Sequence, residues 1–256
     1  MRLKGKIAAV VGAGQTPGET IGNGKATALL FAREGAKVLL VDRELERAKA
    51  TEAEIRETGG EAQAFQADIT DEAQAKSAID ACVKAYGRID VLHNNVGIGV
   101  RDPAATQMDE EVWDRIMRVN LKAMMFCCKH AAPQMRAQKD GSIINVSSIA
   151  SVCWDSPVAY KTSKAGVNAL TQSVALHNAR YGVRCNAILP GKVDTPMAIE
   201  SYVVARNLSR DEIPKDLLVE GLPGVPEAMS EMEIAGISFP SISIRMNRRN
   251  SPASTP

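Results

Sequence analysis

Tyr160 and Lys164 lie four residues apart in Tyr160-Lys161-Thr162-Ser163-Lys164, a spacing that puts both side chains on one face of a helix. A free tyrosine has a pKa of about 10 and is protonated at neutral pH. A cation held beside it favours the phenolate, each pKa unit corresponding to about 1.4 kcal/mol. A phenol tuned this way takes a proton from an alcohol, or returns one to a ketone, near neutrality. The same spacing also describes an ordinary solvated helix face, so the pair gains meaning from its company. Upstream, Asn145-Val146-Ser147-Ser148 follows the apolar Ile143-Ile144. A strand ending in serines offers the phenol a hydroxyl partner. Ser148 is the better candidate than Ser147 because it falls beyond the strand, where loops carry reactive groups. The competing role for both hydroxyls is to satisfy backbone groups at the strand end.

A second constellation sits near the start. Gly12-Ala13-Gly14 is followed by residues 15–21 and then by Gly22-Asn23-Gly24. Glycines there let a backbone approach a pyrophosphate, and a helix opening at that point supplies N–H donors and a positive dipole end. Glycines also mark any tight strand–helix turn, but the position before an alanine-rich helix favours dinucleotide binding. Asp42 stands about 18 residues beyond Gly24, where an acid accepts hydrogen bonds from a ribose 2′-hydroxyl. A carboxylate would repel a 2′-phosphate, which favours NAD over NADP. Arg43 beside it could instead pair with that phosphate. Asp68 could meet the adenine amino group, or cap the turn that follows it.

These residues need elements to hold them. Strands are expected at residues 7–11, 38–41, 64–67, from 91, 142–146 and 183–189. Helices are expected at 25–33, 44–57, 71–86 (with Asp71 as N-cap and Gly87 as the stop), 109–135 and 158–181. Such alternation implies an α/β fold: a doubly wound, Rossmann-like parallel sheet in three layers, α/β/α. Ligands then bind at the carboxyl ends of the strands. The predicted domain runs over residues 1–212. Residues 213–256, rich in proline, serine and basic side chains, read as an atypical, irregular C-terminal tail.

The bulk numbers are those of an ordinary soluble protein: 256 residues, 45% hydrophobic, 24% charged, net charge +1. No pull toward nucleic acid or anionic membrane follows from that charge, and no apolar run reaches membrane-spanning length. Met1-Arg2-Leu3-Lys4-Gly5-Lys6 leads straight into a strand, so no signal peptide is expected. The five cysteines have no Cys-x-x-Cys spacing and the three histidines no ligand pattern. Both point to a cytoplasmic protein without disulfides or a metal.

In this order, Gly12…Gly22-x-Gly24, Asp42, Asp68, Asn94-Asn95-Val96-Gly97, Asn120, Ser148, Tyr160/Lys164 and Pro190-Gly191 resemble the short-chain dehydrogenase/reductase family, over about residues 4–212. The resemblance implies Tyr160 as acid/base, Ser148 as the substrate-orienting donor, and Lys164 as the holder of the nicotinamide ribose. It implies Asn120 as the anchor of a water in a proton relay. Asn94 to Gly97, including Asn95, Val96 and Gly97, would line the adenosine side together with Asp68 and Ile69. Pro190, Gly191, Val193 and Thr195 would meet the nicotinamide. It further implies a homodimer or homotetramer through the helices of Asn120 and Tyr160, and a reaction that needs no metal. The departures are Val11 in place of the usual threonine, a longer glycine loop, Val96 in place of alanine, and a tail unlike the family's closing helix and strand.

The expected function is therefore hydride transfer between NAD and a secondary alcohol or ketone. Two alternatives remain: an NAD-binding protein of poor catalytic ability, and an NADP-dependent carbonyl reductase. Val96, Cys153, Trp154, Val158 and Met197 are candidates for an apolar pocket suited to a cyclic or aromatic alcohol, or else for core. Residues 196–209 are a candidate lid.

Overall fold

The computed structural model describes residues 1–18, 20–99, 102–152, 157–191, 193 and 195–197. Six strands, β1 (Ile7–Val11), β2 (Lys37–Asp42), β3 (Glu61–Gln66), β4 (Val91–Asn94), β5 (Gly141–Val146) and β6 (Val183–Ile188), form one sheet in the order β3-β2-β1-β4-β5-β6. Every pair is parallel, with Val11 facing both Val41 and Asn94. β1 is buried along its whole length. Its Ile-Ala-Ala-Val-Val sequence has no alternation because both faces are covered.

Helices α1 (Asn23–Arg33) and α2 (Leu45–Glu57) cover one face, packing Ala28, Ala32, Ala48 and Ile55 on Val10, Val38 and Leu40. The other face carries α3 (Glu72–Tyr86), α4 (Glu110–Met117), α5 (Ala123–Gln138) and α6 (Val158–Asn178). There Ile79, Phe126 and Met135 pack on Leu39, Leu92 and Ile143. Each such side chain contributes about 1.5–3 kcal/mol on leaving water. α3 starts and stops on the expected residues: Asp71 accepts the Gln74 N–H at 2.9 Å, and Gly87 closes the helix at φ 79°.

Two elements depart from expectation. β3 begins at Glu61, three residues before the predicted start. It is an edge strand with a mostly solvated face, so its polar Glu61-Ala62-Gln63 opening carries little hydrophobic signal. The predicted single helix at 109–135 is divided by a π-helical turn, Arg118–Lys122, between α4 and α5. Periodicity cannot register such a turn, because it inserts one residue without breaking the helical path.

The strand order reverses between β1 and β4, which makes the crevice at their carboxyl ends the topological place for a ligand. The predicted tail, residues 213–256, and most of the predicted lid lie outside the described residues.

Candidate active site

The glycine loop comes first along the chain. Gly24 opens α1 against the preceding strand so closely that a β-carbon there would stand 1.8 Å from the Gly12 carbonyl oxygen. Only glycine fits. The extra residues of the loop are closed by Gln15, whose amide donates to the Thr16 and Thr20 carbonyls at 2.8 Å each and accepts the Gly22 N–H at 2.9 Å. Gly22 precedes α1 in extended conformation with no side-chain cap, and Asn23 starts a first turn without an acidic residue. The positive helix end is therefore left for an anion. Thr20 Oγ1 is buried with no hydrogen-bond partner among the described residues.

Asp42 closes the far side of this cradle, its carboxylate accepting the Gly14 N–H at 2.9 Å and the Glu44 N–H at 3.0 Å. Arg43 is exposed and lies 3.8 Å from the Glu44 carboxylate. Glycine backbone, bare helix end, orphan hydroxyl and flanking carboxylate together fit a dinucleotide. Gly12, Gly14, Gly22, Asn23, Gly24 and Asp42 would hold it.

The other predicted cofactor contacts divide. Asn95 donates to the Gly12 carbonyl at 3.2 Å, and Val96 packs against Gly12, so both border the cradle. Asn94 does not. Its side chain is buried and donates to Asn145 Oδ1 at 2.9 Å, joining β4 to β5 instead of facing an adenosine. Asp68 is exposed, and its Oδ1 accepts both the Thr70 N–H and hydroxyl, the turn-capping role. Ile69 puts its side chain into the core. Pro190 accepts the Ile149 N–H at 2.9 Å and so fixes the segment beyond β6 to the Ser148 loop. Gly191 is exposed, Val193 half-buried and Thr195 buried.

The reactive set gathers past the ends of β4 and β5. Ser147 is buried and donates to the Lys164 carbonyl at 2.9 Å, whereas the half-buried Ser148 hydroxyl accepts the Ala150 N–H at 3.1 Å and stands close enough to the Tyr160 phenol to pull its pKa down. Lys164 is 2% exposed. Its ammonium donates to the Val146 carbonyl at 2.8 Å and lies 5.7 Å from the centroid of the Tyr160 ring. Burial pulls Lys164 down to about 8, which leaves it charged at neutral pH.

One expectation is corrected here. Tyr160 is not lowered by Lys164: burial holds its pKa above the ordinary value, and the Ser148 hydroxyl is what pulls it back. The reason is placement, because the ammonium faces the ring and a backbone carbonyl, and the phenol shares a poorly solvated site.

Asn120 occupies the π-helical turn and is fully buried. Its amide bridges the Ile98 backbone in both directions, at 2.7 and 2.8 Å. It also donates to Ser163 Oγ at 3.0 Å, and Ser163 donates onward to the Tyr160 carbonyl at 2.7 Å. Sequence reasoning missed Gln15, Thr20, Ser163 and Asp102. Ser163 alone had a signal, since it lies three residues after Tyr160 on the same helix.

The family model described as short chain dehydrogenase matches residues 6–203. The chain belongs to the short-chain dehydrogenase/reductase family. Among relatives in that family, it is 37% identical over 234 residues to the 3-oxoacyl-acyl-carrier-protein reductase FabG of Thermotoga maritima, spanning 91% of this chain and 90% of that protein. It is 39% identical to the 7alpha-hydroxysteroid dehydrogenase of Clostridium sardiniense, over 78% of this chain and 75% of the relative. Solved dehydrogenase/reductase structures agree. Levodione reductase superposes with a TM-score of 0.77 at 31% identity, over 82% of this chain and 80% of the other. NAD+-bound xylitol dehydrogenase gives 0.74 at 33%, over 80% and 77%. As a short-chain dehydrogenase/reductase, the protein is an oxidoreductase that works with NAD or NADP. Among its described residues, no helix is long and apolar enough to cross a membrane, and no cluster of side chains is built to hold a metal.

Proposed function

We propose that this chain is an NAD-dependent oxidoreductase that interconverts a secondary alcohol and its ketone, with Tyr160 moving the proton. The carrying observation is the convergence of Tyr160, Ser148 beside its phenol, and the buried Lys164 ammonium 5.7 Å from the centre of its ring. Bound NAD supplies the hydride acceptor for oxidation and, reduced, the donor for reduction.

The chain's own groups do the rest. Ser148 donates to the substrate oxygen and orients it toward the phenol. Tyr160 gives its proton to a ketone oxygen during reduction and takes one from the alcohol during oxidation. Its raised pKa keeps it protonated at neutral pH, the form that reduction requires. Lys164 holds the nicotinamide ribose and keeps positive charge under the ring, and Asn120 holds a water that passes the proton outward.

NAD is favoured over NADP by Asp42, whose carboxylate at the cradle edge would meet a 2′-phosphate with like charge. A cyclic alcohol fits best. Ile149 and Val152, in the loop that follows Ser148, present exposed apolar surface, as Met197 does beyond β6, and relatives include a cyclohexanol dehydrogenase and hydroxysteroid dehydrogenases. Val96 and Val158 are half-buried near it, while Cys153 and Trp154 lie outside the described residues. Subunits pair, as homodimer or homotetramer, through α5 and α6. There Met125, Ala132, Leu170 and Val174 line a groove, and α6 exposes Leu176.

The test is NADH formation from a panel of cyclic secondary alcohols. Tyr160→Phe is expected to lower kcat by roughly 10²–10⁴-fold while NAD binding is kept. Full turnover by that variant would remove the mechanism. Saturable NAD binding with no turnover of any alcohol or ketone would leave only the nucleotide-binding alternative.

A further inference from the structure

The helix that carries Tyr160 and Lys164 has no cap of its own. Pro157 stands at its N-cap position and makes no side-chain hydrogen bond. The acceptor comes from another part of the chain. Asp102, in the segment between β4 and α4, accepts the Ala159 N–H at 3.1 Å with one carboxylate oxygen and the Tyr160 N–H at 2.6 Å with the other. A carboxylate at this point also meets the positive end of a helix of 21 residues.

The same segment touches the rest of the set. A β-carbon at Gly97 would stand 3.2 Å from Lys164 Nζ, and one at Gly99 would stand 3.1 Å from Tyr160 Cδ2. Ile98 between them holds Asn120 by its N–H and carbonyl, and Asn120 reaches the Tyr160 carbonyl through Ser163. Tyr160 is thus fixed at its N–H by Asp102, at its carbonyl by the Asn120–Ser163 chain and at its ring by Gly99.

We propose that Asp102 is a positioning residue for the reaction, and that together with the bare backbone of Gly99 it sets where the Tyr160 hydroxyl stands relative to Ser148. The assignment rests on the reading of Tyr160 as the acid/base. Each of the two N–H donors meets its own carboxylate oxygen, and an asparagine would keep only one of those acceptors. A serine or threonine cap at residue 157 would fix the helix start but could not tie it to the strap that packs on the phenol. Capping from a distance makes the helix register depend on the β4 segment, so a displaced strap displaces the reacting hydroxyl.

Asp102→Ala, Asp102→Asn and Gly99→Ala test this, with cyclohexanol and related cyclic alcohols plus NAD as substrates. NAD affinity is read separately by nucleotide fluorescence, and amide hydrogen exchange is followed at residues 158–162. Misplacement of a reacting group by about 1 Å costs up to roughly 100-fold in rate. Asp102→Ala is therefore expected to lower kcat about ten- to a hundredfold with NAD affinity within about twofold, Asp102→Asn to lose less, and Gly99→Ala to lose kcat through the ring contact. Exchange at Ala159 and Tyr160 should accelerate in Asp102→Ala. Combined with Tyr160→Phe, Asp102→Ala should add no further loss, because no hydroxyl remains to be placed.

A kcat within twofold of wild type for both Asp102→Ala and Gly99→Ala would overturn the proposal. So would an equal proportional loss in the Tyr160→Phe background, which marks general damage to the fold. If Asp102→Ala does not fold, the Asp102→Asn and Gly99→Ala rates decide on the same criteria. Wild-type protein that turns over none of the alcohols would instead fail the acid/base reading, whereas unchanged exchange at residues 159 and 160 in Asp102→Ala fails this one alone.

Discussion

At the residue level, burial governs both members of the Tyr160–Lys164 pair and drives each toward its neutral form. Lys164 has the clearer consequence for stability. Its pKa falls from 10.5 to about 8 on folding, so between those values the unfolded chain binds the extra proton. Stability from this group is fully present above pH 10.5 and is lost as pH falls through 8, by about 3 kcal/mol in total. Buried Cys128, raised from 9.0 to about 12, acts in the opposite sense as pH climbs through 9. The comparison that isolates the lysine is wild type against Lys164→Met in urea unfolding at pH 7.5, below the window, and at pH 10, near its upper end. The stability gap should narrow or reverse toward pH 10, and a gap constant with pH would show Lys164 is not depressed. Asp42 makes a second residue-level prediction. Removing its charge in Asp42→Ala should shift cofactor preference toward NADP by roughly tenfold, the effect of about 1.4 kcal/mol of relieved repulsion. Competition binding of NAD and NADP measures it, and an unchanged ratio would return the choice to Arg43.

At the level of elements, the glycine loop and the π-helical turn are the two places where this chain departs from a regular strand–helix repeat. The loop is longer than a tight glycine turn, yet it is closed by one side chain, Gln15, through three hydrogen bonds to its own backbone. Gln15→Ala should leave the loop to be ordered at the moment of binding. Losing about 1–2 kcal/mol of preorganisation would weaken NAD roughly five- to thirtyfold, with kcat at saturating NAD little changed. Equilibrium titration of the two proteins checks it, and equal affinities would mean that the loop is held by its fold alone. The π-helical turn has a different use. It places Asn120 where it can hold Ile98 and Ser163 at once, which ties α4–α5, the β4 strap and α6 into one unit.

Across the whole molecule, the sheet separates chemistry from scaffolding. The carboxyl ends of its strands carry the cradle and the reactive set. At the amino ends, buried Asp90 accepts the Ile7 N–H at 2.8 Å and the Arg88 guanidinium at 2.5 Å, locking β1 to the start of β4. A buried polar seam, Asn94 to Asn145 to Thr171, joins β4, β5 and α6 and fixes the catalytic helix on the sheet. On that helix Leu176 is 60% exposed, which is a large apolar side chain to leave in water. Leu176→Glu should therefore reduce the mass seen by light scattering from that of an oligomer to that of one chain. A wild-type protein already monomeric at micromolar concentration would refute pairing through this face.

Much of this was readable in the chain itself. Alternating apolar runs and helical stretches gave six strands in a parallel sheet, because a sheet buried on both faces demands continuous apolar segments, while their order within the sheet came from the tertiary structure. Asp71 and Gly87 marked the ends of α3 because caps are local chemistry. The Tyr160/Lys164 spacing and the glycines were visible because helix and turn geometry reaches only a few residues. Distance in sequence hid the rest. The roles of Asp102, Asn94 and Gln15, and the direction of the Tyr160 pKa, depend on partners brought close by folding and on how much water is excluded. Local pattern carries neither; packing decides both.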